Sequence, residues 1–345
     1  MFILGFRGYI LRIVINKIPN TSKKISEISK IIPDISKRIY SEDIVRVLEN
    51  RYSTMGPIWV SHQMDWCNGV YASFKDHDKF LIIIFLIKKT LDFYSSNFTK
   101  LDYNQFYSME TVEIERFNIK EISLALNIPK ESTRRKVLEL RKIGAIRKNK
   151  KKIIIDKSKF FFTKPENSIK RVSRFLTVLS DMCEDESVLP KKITSEKIEL
   201  VIKKNFSYIW KLYYEVQIPM MIRYKKMFED LDTFHIFGTC VVNQHLYVKK
   251  LSKNPMGRDE FIKSIYTEKL MQGINAMSIS DITGIPRATV VRKLKLLLKR
   301  KVLTIDEKKH YRITGNFIKI LKPMQKDTLI KLGTFASKVY NFLIL

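Results

Sequence analysis

The chain is poor in the residues that cross-link or punctuate a fold. Among 345 residues there are 3 cysteines, 11 glycines, 10 prolines and 5 histidines. Cys67, Cys183 and Cys240 lie far apart in an odd number with no CxxC spacing, so neither a disulfide framework nor a zinc knuckle is indicated, and a reducing, cytoplasmic setting is expected. So little glycine and proline excludes collagen-like and low-complexity classes and argues against a turn-rich β-sandwich. Long apolar runs are missing as well. The best spans residues 80–87, eight residues, where a membrane helix needs about 18, so no membrane partner is expected. The apolar start MFILGFRGYILRIVINK carries Arg7 and Arg12 and lacks a small-residue cleavage site, which reads as a buried first helix or strand rather than a secretion signal. No P-loop, HExxH, GxSxG or dinucleotide fingerprint occurs, so neither catalysis nor a cofactor is expected.

Acidic residues are scarce too. Lys+Arg is 64 against Asp+Glu 35, a formal net charge of +29. Such a surface seeks polyanions. The Ile, Lys and Asn richness of the chain reflects in part an AT-rich coding bias, so the placement of the charge decides more than its total. Hydrophobic residues are 45% and charged residues 29%, values ordinary for a globular protein, and the length suggests about two domains.

The chain repeats itself. Residues 122–160 align without a gap on the segment 157 residues later: Ile122 meets Ile279, Ser123 meets Ser280, Ile128-Pro129 meets Ile285-Pro286, Arg135-Lys136 meets Arg292-Lys293, Leu140 meets Leu297 and Phe160 meets Phe317. Upstream, residues 39–44 resemble residues 193–198 at an offset of 154. The chain therefore divides into repeats at 1–165 and 166–345, with the boundary in Thr163-Lys164-Pro165-Glu166-Asn167-Ser168. An amphipathic helix follows over 168–182, apolar at 169, 172, 175, 176 and 179.

Each block has the same predicted grammar. In the first, Asn118 caps a helix with Glu121 completing a capping box, and Ile119, Ile122, Ala125 and Leu126 form one face. Asn127 takes a left-handed turn and Ile128-Pro129 restarts the chain. A second helix over about 130–143 buries Thr133, Val137 and Leu140 and ends at Gly144, and a hairpin with a basic tip over 147–152 follows. In the second, Asn275 caps, Ile279 and Ile282 face inward, and Gly284 holds the turn. A helix over 287–301 buries Val290, Leu294 and Leu297, and a hairpin has its tip at 306–309. The run GIPRATVVRKLKLLLKRKVL resembles the recognition helix and following strand of bacterial winged-helix transcription regulators of the MarR and IclR type, over about 40 residues in each repeat.

The resemblance implies a mainly α fold with small β-hairpin wings (α+β): two tandem repeats, each a helical subdomain plus a winged helix-turn-helix, at about 102–160 and 258–318. The charge falls where such a fold would need it. Residues 130–152 hold eleven basic against two acidic residues and residues 287–309 nine against two, together sixteen of the net twenty-nine.

The implied function is sequence-specific binding of double-stranded DNA in a cytoplasmic, nucleoid-associated transcription regulator, as a monomeric pseudo-dimer or a homodimer. A recognition helix offers its first turns to the base edges. The candidates are Lys130, Glu131, Ser132, Arg134 and Arg135 in the first repeat, and Arg287, Ala288, Thr289, Val291 and Arg292 in the second. Arginine suits guanine, glutamate cytosine N4, and Ala288, Val291 and the Thr289 methyl suit thymine methyls. Lys136, Arg147, Lys148, Lys150, Lys151, Lys152, Lys293, Lys308 and Lys309 are the backbone and wing candidates. Asp306 and Glu307 at the second tip would repel phosphate.

The alternatives are an origin-binding replication initiator, a class that also carries two winged helices in one chain, and a winged helix used on RNA or protein. A metal reading of His235, Cys240 and His245 fails on spacing, since five residues turn a helix by about 140°. His62, Asp65, Cys67 and His77 sit among tryptophans and read as packing. The Met- and aromatic-rich segment 208–228 reads as core, a ligand pocket or an interface between the repeats.

Overall fold

A computed structural model describes residues 34–114, 118–149, 152–158, 165–251, 255–267 and 273–345, without the side chains of 249–251 and 317–320. The readings of the N-terminal 17 residues, Phe160, Thr163-Lys164, Phe317, Lys150 and Lys151 fall outside what is described. Residues 39–343 form one compact unit. In the other unit, residues 35–37 form a 3-10 turn whose Ser36 N–H is accepted by Asp34.

The unit 39–343 is mainly helical with two small antiparallel sheets. Its first series of elements runs α1 (Ser41–Asn50), α2 (Tyr52–Phe74), α3 (His77–Ser96), α4 (Tyr103–Ser108), β1 (Thr111–Ile114), α5 (Ile119–Leu126), α6 (Lys130–Lys142), β2 (Ile146–Asn149) and β3 (Lys152–Asp156). After α7 (Glu166–Asp185) the same order is met again: α8 (Ser195–Lys204), α9 (Phe206–Phe228), α10 (Leu231–Leu251), α11 (Arg258–Thr267), β4 (Ile274–Asn275), α12 (Ala276–Thr283), α13 (Arg287–Lys299), β5 (Leu303–Ile305) and β6 (His310–Ile313). The unit closes on α14 (Ile318–Ile344).

The two most extensive helix pairings run between the two series. α2 lies against α10 and α7, and α3 lies against α9. Residues 81–84 of α3 are buried on every side, the mark of an interior helix; each such aliphatic side chain contributes about 1.5–3 kcal/mol on burial. The segment 208–228 is the bulk of α9; it is largely buried core, the first of the readings expected, and packs on α3 of the first series. Gln217 on α9 donates its amide to Gln63 on α2 at 2.8 Å, and His62 and the Tyr213 hydroxyl are 2.9 Å apart. Gly238 marks the closest approach of α10 to α2: a Cβ there would lie 2.3 Å from Met64 Sδ, so any side chain must displace that methionine. α14 returns to the start of the unit, where Asn341 bonds both the N–H and the C=O of Ile39.

Each sheet has three strands, in the orders β1-β3-β2 and β4-β6-β5. The hairpins were expected from sequence; the third strands β1 and β4 were not. β1 alternates in burial, with Val112 and Ile114 inward and Glu113 outward, and pairs Val112 with Ile155. That alternation in TVEI was the available signal, and it is too short to stand out alone.

Candidate nucleic-acid interface

Two helix pairs joined by tight turns, α5 with α6 and α12 with α13, are built from matched local chemistry. The Asn118 side chain accepts the Lys120 N–H at 2.8 Å, and the Asn275 side chain accepts the Ser278 N–H at 2.9 Å. Glu121 does not complete the expected capping box: its carboxylate receives Lys89 at 2.6 Å instead. Asn127 (φ 50°) and Gly284 (φ 67°) both take the left-handed conformation expected of them. The hydroxyls of Ser123 and Ser280 then donate to the carbonyls of Ile128 and Ile285, at 2.7 and 2.8 Å, closing each turn in the same way. The inner face of the first helix runs through Ile122 and Leu126, and through Ile279 and Thr283 in the second. Ile282 was expected inside and is half exposed, because it sits one residue, about 100°, before Thr283 on the helix. Ala125 is likewise exposed.

The second helices bury the faces that their periodicity predicts: Thr133, Val137 and Leu140 in α6, and Val290, Leu294 and Leu297 in α13. Helix α13 ends at Lys299, two residues before the expected end.

Lys136 and Lys293 require a correction. Both were counted as solvent-facing backbone contacts, yet their side chains are 12% and 11% exposed. Lys136 donates to Asp76 and Lys293 to Asp230. Each aspartate also opens the following long helix: Asp76 accepts the N–H groups of Asp78 and Lys79, and Asp230 those of Thr233, backbone and hydroxyl. One carboxylate thus caps α3 or α10 and anchors the helix that lies on it. Burial acts to raise the Asp230 carboxyl, but the Lys293 ammonium and the Thr233 donors outweigh it and hold it below its ordinary value. Clamped in this way, α6 and α13 present their first turns outward.

On α6, Lys130, Glu131, Arg134 and Arg135 are exposed and Ser132 is half-buried. Glu131 accepts Arg134 at 2.7 Å within the helix. Arg135 lies 3.8 Å from Glu139, whose carboxyl is held low first by the Lys79 ammonium. On α13, Arg287, Ala288 and Arg292 are exposed, while Thr289 and Val291 are half-buried.

In the first sheet Arg147 lies 3.3 Å from Asp156 and Lys152 lies 3.0 Å from Glu113, while Lys148 is exposed. A groove between α6 and β2 is lined by Arg135, Arg141, Lys142, Arg147 and Lys148, with Leu138 exposed beside them. Arg141 and Lys142 were counted in the charge but not named as contacts, because the strand that completes their groove is not visible in the helix alone.

The second unit differs at these places. At the offset of 157, Arg141, Arg147 and Lys148 correspond to Leu298, Thr304 and Ile305. Lys308 and Lys309 are exposed at the second tip. Asp306 has a structural task there: its carboxylate accepts the His310 N–H at 2.9 Å, and that bond first of all holds its carboxyl low.

His235 is buried and bonds Asn68 at 2.7 Å, and Cys240 and His245 are buried on the same helix. Among the described residues no group of His, Cys, Asp and Glu is arranged to hold a metal, and no helix is long and apolar enough to cross a membrane. No family model matches the chain, and no curated protein or solved structure matches it significantly.

Proposed function

We propose that the chain is a sequence-specific double-stranded DNA-binding protein, a transcription regulator built as two tandem winged helix-turn-helix units on a shared helical body. One observation carries this reading. α6 and α13 are seated by equivalent buried faces and equivalent Lys–Asp clamps, and Arg135 and Arg292 emerge at equivalent exposed positions. Three-stranded sheets of the same order lie beside both helices.

The two units are unequal partners in this reading. The first has a basic groove from Arg135 to Lys148 and supplies most of the phosphate contacts. The second, with Ala288, Val291 and Thr289 near the start of its helix, contributes contacts suited to thymine methyls and less charge. Fluorescence anisotropy with a random-sequence duplex at low salt tests this. Arg135→Ala should weaken binding and reduce the salt slope by about 1, and Arg292→Ala by less. Affinity unchanged in both variants would remove α6 and α13 from the interface.

A further inference from the structure

The contacts between the two series are reciprocal. α9 and α10 begin 154 residues after α2 and α3, and α2 packs on α10 as α9 packs on α3. Ser53, at the start of α2, donates its N–H to the Met256 carbonyl at 3.0 Å, and its hydroxyl accepts the Met256 N–H at 2.8 Å. Ser207, at the same place in α9, does the same with Leu101, at 3.0 and 2.9 Å. Gln63 and Gln217, bonded to each other, are also matched positions, 154 apart. Exchanged partners, and a residue paired with its own counterpart, are the marks of an isologous, two-fold interface.

Two matched Asp-x-Asp pairs join this interface to α6 and α13. Asp76 and Asp78 stand at the start of α3, and Asp230 and Asp232 at the start of α10, where the helix dipole favours carboxylates. The first aspartate of each pair clamps the basic helix of its own series, through Lys136 or Lys293. The second is bonded to the opposite series. Asp78 accepts Lys225 of α9 at 2.8 Å and lies 3.7 Å from Lys136 as well. Asp232 accepts the Nδ1–H of His77 at 2.8 Å. The His77 and Lys225 side chains are 1% and 8% exposed, so water does little to screen these bonds. A continuous chain of bonded groups therefore runs from Lys136 through Asp76, His77, Asp232 and Asp230 to Lys293.

We propose that this junction sets the separation and orientation of α6 relative to α13, with His77 and Lys225 as its positioning residues, so that both helices meet one duplex as a rigid pair. Only the last clause rests on the DNA-binding reading. The hydrophobic effect is non-directional and brings the series together, whereas charge-assisted hydrogen bonds hold one geometry. In a rigid pair, the first helix to dock already orients the second, which spares the cost of ordering it on the DNA.

The test places spin labels on the full chain carrying Lys142→Cys and Lys299→Cys, exposed matched positions at the ends of α6 and α13, in the absence of DNA. Cys67, Cys183 and Cys240 are buried, so labelling is confined to the introduced pair. The intact junction should give one narrow distance distribution. His77→Leu, which copies the matching Leu231, and Lys225→Met should each shift or broaden it by about 2 Å or more. His77→Asn, whose amide nitrogen can donate where Nδ1 does, should keep it unchanged. Glu49→Gln breaks a different bond between the series, to Arg258 at 3.0 Å, between α1 and α11. It should lower the melting temperature and leave the distances as they are. Without labels, His77→Leu should bind a random-sequence duplex about tenfold more weakly than wild type, with an unchanged salt slope. Unchanged distances in a folded His77→Leu or Lys225→Met protein, equal broadening by Glu49→Gln or His77→Asn, or broadened distances with duplex affinity intact would overturn the proposal. No duplex binding by wild type would strike the DNA-binding reading and only the last clause here, since the distances are read without nucleic acid.

Discussion

At the scale of single residues, like charges close in sequence divide into two kinds. Lys136 on α6 and Lys148 on β2, the next element, are both basic, yet one is clamped on Asp76 and the other faces solvent. Lys136→Met strands a carboxylate that is only partly solvated, so it should cost about 1–3 kcal/mol in denaturant unfolding and leave the salt dependence of DNA binding unchanged. Lys148→Ala should do the opposite: stability within about 0.5 kcal/mol of wild type, and a salt slope reduced by about 1. The repeat alignment did mark Lys136 and Lys293 as a matched pair. What it could not show is why they match, because their partners Asp76 and Asp230 lie 60 and 63 residues away, outside any periodic signal.

At the scale of elements, the helix pairs α5–α6 and α12–α13 were the most legible part of the chain. Local rules decide them: an asparagine cap, a left-handed Asn127 or Gly284, an Ile-Pro restart and a buried stripe at helical spacing. The strands β1 and β4 were not legible, since a strand of four or two residues has almost no period to read and is defined by its partner. The ends of α6 and α13 differ in a telling way. Gly144 (φ 74°) ends α6, and at the matching place after α13 stands Lys301, also left-handed at φ 56°. The left-handed conformation costs an L-residue about 1–2 kcal/mol that glycine does not incur. Gly144→Ala should therefore destabilise the protein by about 1 kcal/mol, and Lys301→Gly should stabilise it by up to about 1 kcal/mol, both read from the denaturation midpoint. A destabilised Lys301→Gly protein would show that its side chain does more at that turn than its backbone strain costs.

At the scale of the whole molecule, the two series of elements are interleaved rather than strung in line, with α2 on α10 and α3 on α9. The sequence shows that 80–87 and 208–228 are apolar; it does not show which helix covers which, because nearly uniform apolar faces carry no address. The ion clamps and the α6–β2 groove were hidden because the groups that complete them lie on other elements. Burying three histidines in this shared core has a thermodynamic consequence. Burial holds His62 and His245 down to about 3 and His235 well below its ordinary value. In the unfolded chain the same groups protonate near pH 6.5, so below that pH the unfolded state binds more protons and stability falls as the pH falls. His62 and His245 should each remove roughly 2 kcal/mol between about pH 6.5 and pH 5. A melting temperature that stays level over that interval would mean that these imidazoles are not held neutral.

The shared body carries two basic units, and how that charge is used is read most directly from the salt dependence of duplex binding by the unmodified protein. If both units grip the phosphate backbone, about 6–10 contacts should cost roughly 10³–10⁵ in affinity between about 50 and 200 mM salt. A slope corresponding to no more than about two contacts, or no binding even at the lower salt, would contradict a DNA-binding role for this chain.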